Sequence, residues 1–156
     1  MAKKASSKSA SSTSEGFSLL TDFDIYLFKS GKHYKLYEKL GAHVIHSSDH
    51  NGTYFAVWAP NAKSVSVLGN FNHWQNKQHR LNPRWDESGI WEGFFTDIDH
   101  GEAYKYGIQS NTGEYVVKSD PFSSYCETAP KTASIVWETK YEWKDKPWLE
   151  QRKSEA

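Results

Sequence analysis

The sequence predicts an all-β protein, an immunoglobulin-like β-sandwich from about residue 43 to residue 138 with a short helical segment before it. Apolar and polar residues alternate in short runs, and within residues 63–69 Val65 and Val67 share one strand face. Turn-forming pairs such as Asn82-Pro83 and Ser88-Gly89 separate these runs. About seven short strands with regular turns are typical of such a sandwich.

The alternation also places the individual strands. They are predicted at residues 43–48, 53–59, 63–69, 90–96, 103–109, 114–118 and 134–138, with a weaker candidate at 79–83. Asn51-Gly52 fits a tight hairpin turn between the first two strands. Large aromatic residues within the strands are expected in the core or half-buried against the helical segment; they are Trp58, Trp91, Phe95 and Trp137.

The residues before the sandwich divide into a tail and a helical segment. Residues 1–16 are mostly Ser, Ala and Lys without periodicity, so we predict a disordered tail, because such a composition buries too little apolar surface. A basic binding arm is the alternative. Residues 17–42 predict two short helices, the first capped by Thr21 or Asp22.

Glycines mark the ends of these helices, and aromatic residues mark their packing faces. Gly31 ends the first helix, and Gly41 ends the second, which runs from His33 to Leu40. Helical spacing predicts that one face of each helix packs inward; these faces carry Phe23, Tyr26 and Leu27, and then Tyr34 and Tyr37 with Leu36 and Leu40 as further candidates. At the other end, the charged residues 139–156 predict a linker with Trp143 and Trp148 partly exposed.

The composition argues against several classes of partner. Lys and Arg together number 19, as do Asp and Glu, and a chain without net charge lacks the basic surface of most nucleic-acid and anionic-membrane binders. No apolar run approaches the roughly 20 residues that span a bilayer. The single cysteine, Cys126, forms no internal disulfide, and the N-terminus lacks an apolar secretory segment. We therefore predict a cytoplasmic protein.

Residues 55–74 carry a distinctive run, FAVWAPNAKSVSVLGNFNHW. This run resembles the start of the family-48 carbohydrate-binding module, the immunoglobulin-like domain that precedes the catalytic barrel in glycogen and starch branching enzymes. YKLYEKLGAH at residues 34–43 is similar to bacterial 1,4-α-glucan branching enzymes in particular. One departure is Asn70, where many branching enzymes carry Asp; we expect it to alter local hydrogen bonding but not the fold.

The resemblance implies a module that binds and positions α-glucan without catalysing a reaction. The family's catalytic machinery is a glycoside hydrolase family 13 barrel, which needs about 250 residues, and none of the acidic residues here matches its catalytic motifs. The expected partners are α-1,4-glucan chains and that barrel, within glycogen biosynthesis. The main alternative is a structural module that braces the barrel with negligible sugar affinity; a sandwich that binds nucleic acid or peptide is a third.

Four residues are candidates for contacting sugar. Trp74 follows an alternating strand beside amide side chains, and an indole suits the apolar face of a sugar ring. The resemblance supports Trp74 at the family's sugar-stacking position, Lys105 as its sugar-contacting lysine, and Tyr115 where related modules carry a Trp. Asn111, in the preceding turn, can bond sugar hydroxyls. The alternatives are a Trp that closes the core and an ordinary solvated lysine.

No cofactor or metal ion is expected. His43, His46 and His50 have loosely metal-like spacing, but no Cys or carboxylate completes a ligand set. Cys126 lacks an activating motif and is expected to be inert.

Overall fold

The computed structural model describes residues 16–155. The predicted tail therefore lies outside the described residues, except for Gly16. Within this range, strands form two antiparallel sheets, with helix α1 (Asp22–Lys29) before them and helix α2 (Lys146–Ser154) after them. The strands are β1 (Gly41–His46), β2 (Asn51–Trp58), β3 (Ala62–Gly69), β4 (Asn82–Pro83), β5 (Ile90–Phe95), β6 (Ala103–Ser110), β7 (Tyr115–Lys118), β8 (Tyr125–Cys126) and β9 (Ser134–Ile135).

The two sheets pack face to face as an immunoglobulin-like β-sandwich, which confirms the predicted fold class. The first sheet has the order β1-β2-β5-β4, and the second has the order β3-β6-β9-β8, with β7 also paired to β6. Val65 and Val67 are buried between the sheets, as predicted. They belong to one apolar cluster that contains Phe55, Val57, Trp91, Phe95, Tyr104, Tyr106 and Val136.

The N-terminal segment covers the other face of the first sheet. Leu20, Ile25 and Leu40 pack against a second apolar cluster on β2 and β5, which includes Tyr54 and Phe94. Because both faces of the first sheet are covered, residues 52–57 are buried without interruption. The helical segment is thus an integral layer of the domain.

Helix α1 begins as predicted but packs through a different face. Thr21 caps it, since the Asp24 backbone N–H donates to Thr21 Oγ1 at 3.1 Å and the Thr21 N–H donates to Asp24 Oδ2 at 2.9 Å. The prediction that Phe23 and Tyr26 pack inward was wrong: both side chains are exposed. Ile25 faces the sheet instead, with Phe28 packed beside it.

The predicted second helix is reduced to one 3₁₀ turn, Leu36–Glu38. Leu40 is buried and Leu36 partly buried as expected, whereas Tyr34 and Tyr37 are exposed, so their predicted inward orientation was wrong. The turn contains no fully buried residue, and the side chains that pack against the first sheet are those of Leu36 and of Leu40, which follows the turn.

Three further differences concern strands and turns. The first hairpin turns at residues 47–50, where the Ser47 N–H donates to the His50 carbonyl, so Asn51-Gly52 is not the turn and already belongs to β2. Trp58 is largely exposed, although its ring contacts Phe28. Two elements were not predicted from the sequence: β8, and helix α2 within the predicted linker.

Candidate functional site

The chain turns sharply after β3 and presents Trp74 at its surface. A 3₁₀ turn, Asn70–Asn72, leads to His73 and Trp74, which adopt left-handed φ values of 54° and 58°. The Trp74 backbone N–H donates to the Gly69 carbonyl at 2.9 Å, and its indole Nε1–H donates to Asn70 Oδ1 at 2.8 Å. The indole is therefore fixed in orientation while 39% of the residue surface stays exposed.

Buried hydrogen bonds hold this loop from below. Asn72 accepts the Gly69 N–H at Oδ1 (3.1 Å), and its Nδ2 donates to the Val67 carbonyl (2.8 Å) and to His79 Nδ1 (3.0 Å). Because His79 Nδ1 accepts, its Nε2–H donates to Asp97 Oδ2 at 2.8 Å. Asn72 and His79 are buried, so each lost bond would leave a polar group without water.

Lys105 faces Trp74 across an open depression of about 590 Å³ on the outer face of the second sheet. Lys105 lies on β6 opposite Leu68, which is buried and forms part of the floor. Its Nζ donates to Thr132 Oγ1 at 2.7 Å, which directs the ammonium along the rim. The depression is lined by Leu68, Asn70, Trp74, Ala103, Lys105, Val117, Glu127 and residues 130–133.

The structure places the other two candidates differently. Tyr115 lies on β7 opposite Gln109, and its hydroxyl covers Gly107, where an added Cβ would be 2.4 Å away. It therefore shares the outer sheet face with Lys105 and is 46% exposed, just outside the depression. Asn111 lies beyond the far end of β6, where its backbone N–H donates to the Asn61 carbonyl. The structure thus groups Trp74 with Lys105, sets Tyr115 beside them and leaves Asn111 apart.

A buried carboxylate anchors β6 beneath this surface. Asp120 Oδ2 accepts the hydroxyl hydrogens of Tyr104 (2.6 Å) and Tyr106 (3.0 Å), and its Oδ1 accepts the Phe122 N–H. Burial raises the pKa of Asp120 above its usual range, although these donors favour the charged form. Burial, together with the Asp120 charge, also raises the pKa of both tyrosines, so they remain hydrogen-bond donors. From the core side of the sheet, these bonds join β6 to the segment that follows β7.

Comparison with known proteins identifies the domain. The family profile of carbohydrate-binding module 48 (isoamylase N-terminal domain) matches residues 39–123. The chain belongs to carbohydrate-binding module family 48. The match includes β1 to β7 and both Trp74 and Lys105, so the family assignment rests on the sandwich that carries the depression.

Relatives of this family-48 module are longer proteins. A 1,4-alpha-glucan branching enzyme GlgB from Thermosynechococcus vestitus is 52% identical over 135 residues, which cover 86% of this chain and 17% of the relative. The enzyme of the same name from Aquifex aeolicus is 47% identical over 137 residues, covering 88% of this chain and 22% of the relative. The chain therefore spans only 17% to 22% of the length of these curated relatives.

Solved structures show the same fold at low identity. Klebsiella pneumoniae pullulanase complexed with maltotriose matches with a TM-score of 0.51 and 23% identity, covering 64% of this chain and 10% of that chain. A putative alpha amylase from Salmonella typhimurium matches with a TM-score of 0.50 and 21% identity, covering 70% of this chain and 16% of that chain. These likenesses support the sandwich architecture alone.

One wall of the family-48 module's depression is formed by a segment that was not predicted from the sequence. Glu127, Lys131 and Thr132 belong to the loop between β8 and β9, which is held by the Ser119 hydroxyl donating to the Thr132 carbonyl and by the Ala133 N–H donating to Glu127 Oε2 at 3.3 Å. Only the turn-forming Ala129-Pro130 pair marks this loop in the sequence. Its contact with Lys105 joins residues 27 positions apart, which no local pattern reveals.

Other candidate chemistry is not organised into a site. Within residues 16–155, no group of three or more potential metal ligands comes together. The His43 ring hydrogen-bonds to the Leu40 carbonyl and the His46 ring to Asn51 Oδ1, so the two histidines have different partners. Cys126 is exposed on β8. In the same range, no helix has the length and apolar character needed to cross a bilayer.

Proposed function

We propose that this module binds α-1,4-glucan chains at the Trp74 depression and positions them for a 1,4-α-glucan branching enzyme of which it forms a non-catalytic part. The observation that carries the proposal is the fixed, half-exposed indole of Trp74 facing Lys105 across an open depression. Family membership and the branching-enzyme relatives support this choice of ligand. We propose that the module acts in the cytoplasm during glycogen biosynthesis, and that its partner domain is the catalytic barrel of the branching enzyme.

The chemistry of the depression suits a sugar. A glucose unit presents an apolar C–H face that stacks on an aromatic ring, while its hydroxyls need donors and acceptors. Trp74 supplies the platform, Lys105 supplies donors and Thr132 supplies a hydroxyl beside it. Among residues 16–155 no carboxylate forms an ion pair with Lys105, so its remaining N–H groups can donate to sugar.

Tyr115 and Asn111 are proposed to contact parts of the glucan chain that extend away from Trp74. Tyr115 lies on the same sheet face and offers a second ring to a chain that leaves the depression past Gly107. Asn111 lies beyond the end of β6, so only a chain that continues past Tyr115 would reach it. A shallow, open surface of this kind should bind with a Kd on the order of 0.1 to several mM.

The test replaces Trp74 and measures affinity for maltoheptaose by calorimetry or NMR titration. We expect Trp74→Ala to abolish detectable binding, and Lys105→Met to weaken it, because stacking and donation are lost separately. Trp85→Ala is the matched control, since Trp85 is 78% exposed and lies next to β4, in the first sheet. Binding that survives in Trp74→Ala would place the sugar site elsewhere, and no binding by the unmodified chain would favour the bracing role.

A further inference from the structure

Three rings form a continuous stack near one end of the second sheet. Trp137 lies against Tyr125 with ring centroids 4.6 Å apart and an interplanar angle of 22°, and against His100 with centroids 4.5 Å apart. We call Tyr125, Trp137 and His100 the terminal stack. Tyr125 is 49% exposed and Trp137 is 40% exposed. Mutual stacking fixes the rings while leaving a large aromatic surface in contact with solvent, although such surface is normally buried.

The terminal stack lies on the same sheet face as the Trp74 depression. Ala103 lines the depression two residues before Lys105, and it pairs with Ile135 on β9, which in turn pairs with Tyr125 on β8. Paired residues in antiparallel strands point to the same face. Trp137 follows Ile135 by two positions, and the intervening Val136 is buried in the core, so Trp137 points outward.

This register gives the separation between Lys105, in the Trp74 depression, and Tyr125, in the terminal stack. From Lys105 to Tyr125 the path crosses two strand spacings and two residues along a strand, which is on the order of 12 Å between backbone positions. A single glucose ring does not span that distance. On this path β9 lies between β6 and β8, and its outward residue is the half-buried Ile135, so one flexible chain of several glucose units can lie across the sheet and reach both surfaces.

Hydrogen-bonding groups lie beside Trp137 and His100 of the terminal stack. A second depression of about 710 Å³ is lined by Trp137 and by His46, Asp99, His100 and Glu138, among others. Glu138 Oε2 lies 3.3 Å from His46 Nε2, and the Glu138 backbone N–H donates to His100 Nδ1 at 2.9 Å. The His46 contact and the Lys140 ammonium, 3.8 Å from the same oxygen, order the carboxylate, and its second oxygen can accept hydrogen bonds from sugar hydroxyls. An aromatic platform edged by acceptors is suited to a carbohydrate rather than to a purely apolar partner.

We propose that the terminal stack is a second subsite for the same α-glucan chain, which takes up glucose units beyond those bound at Trp74. The inference rests on the proposed function of the Trp74 depression. Two weak contacts joined by one ligand raise the overall affinity, because the second contact forms within a complex that already exists. The module should therefore bind long chains more tightly than short ones, and the gain should depend on Trp137.

The experiment compares maltotriose with a long linear maltodextrin for the unmodified chain, Trp137→Ala and Trp148→Ala. Trp148 is also exposed but lies on α2, outside both depressions, so its replacement is the matched control. We expect Trp137→Ala to lose about tenfold in affinity for the long chain. Its affinity for maltotriose at Trp74, followed through the Trp74 indole resonance, should stay within about twofold of the unmodified chain.

An independent readout avoids reliance on the folding of the variant. In the unmodified chain, the long maltodextrin should shift the indole resonances of both Trp74 and Trp137. Unchanged long-chain affinity in Trp137→Ala, or a Trp137 resonance that does not respond to the long chain, would overturn the second subsite while leaving binding at Trp74 intact. Failure of the unmodified chain to bind any glucan would instead overturn the proposed function, and the second subsite with it.

Discussion

The hydrogen bond from Asn72 to His79 provides a test of how the Trp74 loop is held. In His79→Gln, the longer side chain places its amide near the position of Nε2, which keeps a donor for Asp97 but leaves Asn72 without its acceptor. In His79→Asn, the shorter side chain places its carbonyl oxygen near the position of Nδ1, which keeps the acceptor for Asn72 and gives up Asp97. The two variants therefore separate the bond that faces the loop from the bond that faces solvent.

The size of the effect follows from burial. Both variants lose the imidazole contacts with Phe71 and Phe95, whose ring centroids lie 4.9 and 5.0 Å away, so both should lose stability. Leaving the buried Asn72 amide without one partner costs a further 1–3 kcal/mol, roughly, in His79→Gln. Sugar can stack only on an ordered Trp74 loop, so part of the binding free energy must restore that order in His79→Gln. If this part is about 1.4 kcal/mol, glucan affinity falls about tenfold.

The assay is a maltoheptaose titration of each variant at a temperature where both are folded, together with chemical denaturation. We expect His79→Asn to bind within about twofold of the unmodified chain and His79→Gln to bind about tenfold more weakly. Equal affinity in both variants, despite a difference in their free energies of unfolding, would show that the bond supports the fold without positioning Trp74.

Two further predictions concern stability. Burial alone would raise the pKa of Asp24, but the Thr21 backbone N–H, His33 and Lys39 lower it from 3.8 to about 2. Because the folded-state pKa lies below the unfolded value, ionised Asp24 should add about 2 kcal/mol to the free energy of unfolding above pH ~4, and this contribution should be lost as the pH falls towards ~2. Urea denaturation across this pH range should show the loss, and the Asp24→Asn variant should not show it. In Gly52→Ala, the new Cβ would lie 2.3 Å from the Phe95 carbonyl oxygen, so unfolding should become easier by about 1–3 kcal/mol; an equal cost in the exposed control Asn51→Ala would contradict this packing argument.

The sandwich was predictable because its strands follow a simple rule. Val65 and Val67 alternate with serines, which predicts a strand with one apolar face, and both valines are buried in the core although Ser66 is buried on the other face as well. Gly52 shows the limit of such local rules. Asn-Gly usually marks a hairpin turn, but here the glycine is needed because β5 passes too close for a side chain, and that contact comes from a strand about 40 residues away.

The helical segment was less predictable, because it contains more aromatic residues than its short elements can bury. Phe23, Tyr26, Tyr34 and Tyr37 fit a helical stripe, yet the face that meets the first sheet carries Ile25, Leu36 and Leu40 instead. Helical spacing shows which residues share a face of the helix, but it does not show which of two apolar faces packs inward. That choice depends on the shape of the sheet, which the sequence of the segment does not contain.

The candidate site also has a part that was predicted from the sequence and a part that was not. Trp74 and Lys105 were predicted from the resemblance of short motifs to the family, and the structure brings them to one depression. The wall formed by the loop between β8 and β9 was not predicted, because its position depends on contacts such as Lys105 with Thr132. Asn111 is close to Tyr115 in sequence, but the extended geometry of β6 carries it away from Lys105.

The most direct test of glucan binding at Trp74 is an NMR titration of the unmodified chain with maltoheptaose, observed at the tryptophan indole N–H groups. The Trp74 Nε1–H donates to Asn70, so a sugar stacked on the ring should shift this resonance saturably, with a Kd on the order of 0.1 to several mM. The Trp85 resonance, on an exposed side chain outside the depression, should stay unchanged. A Trp74 resonance that does not move at saturating sugar would contradict the account.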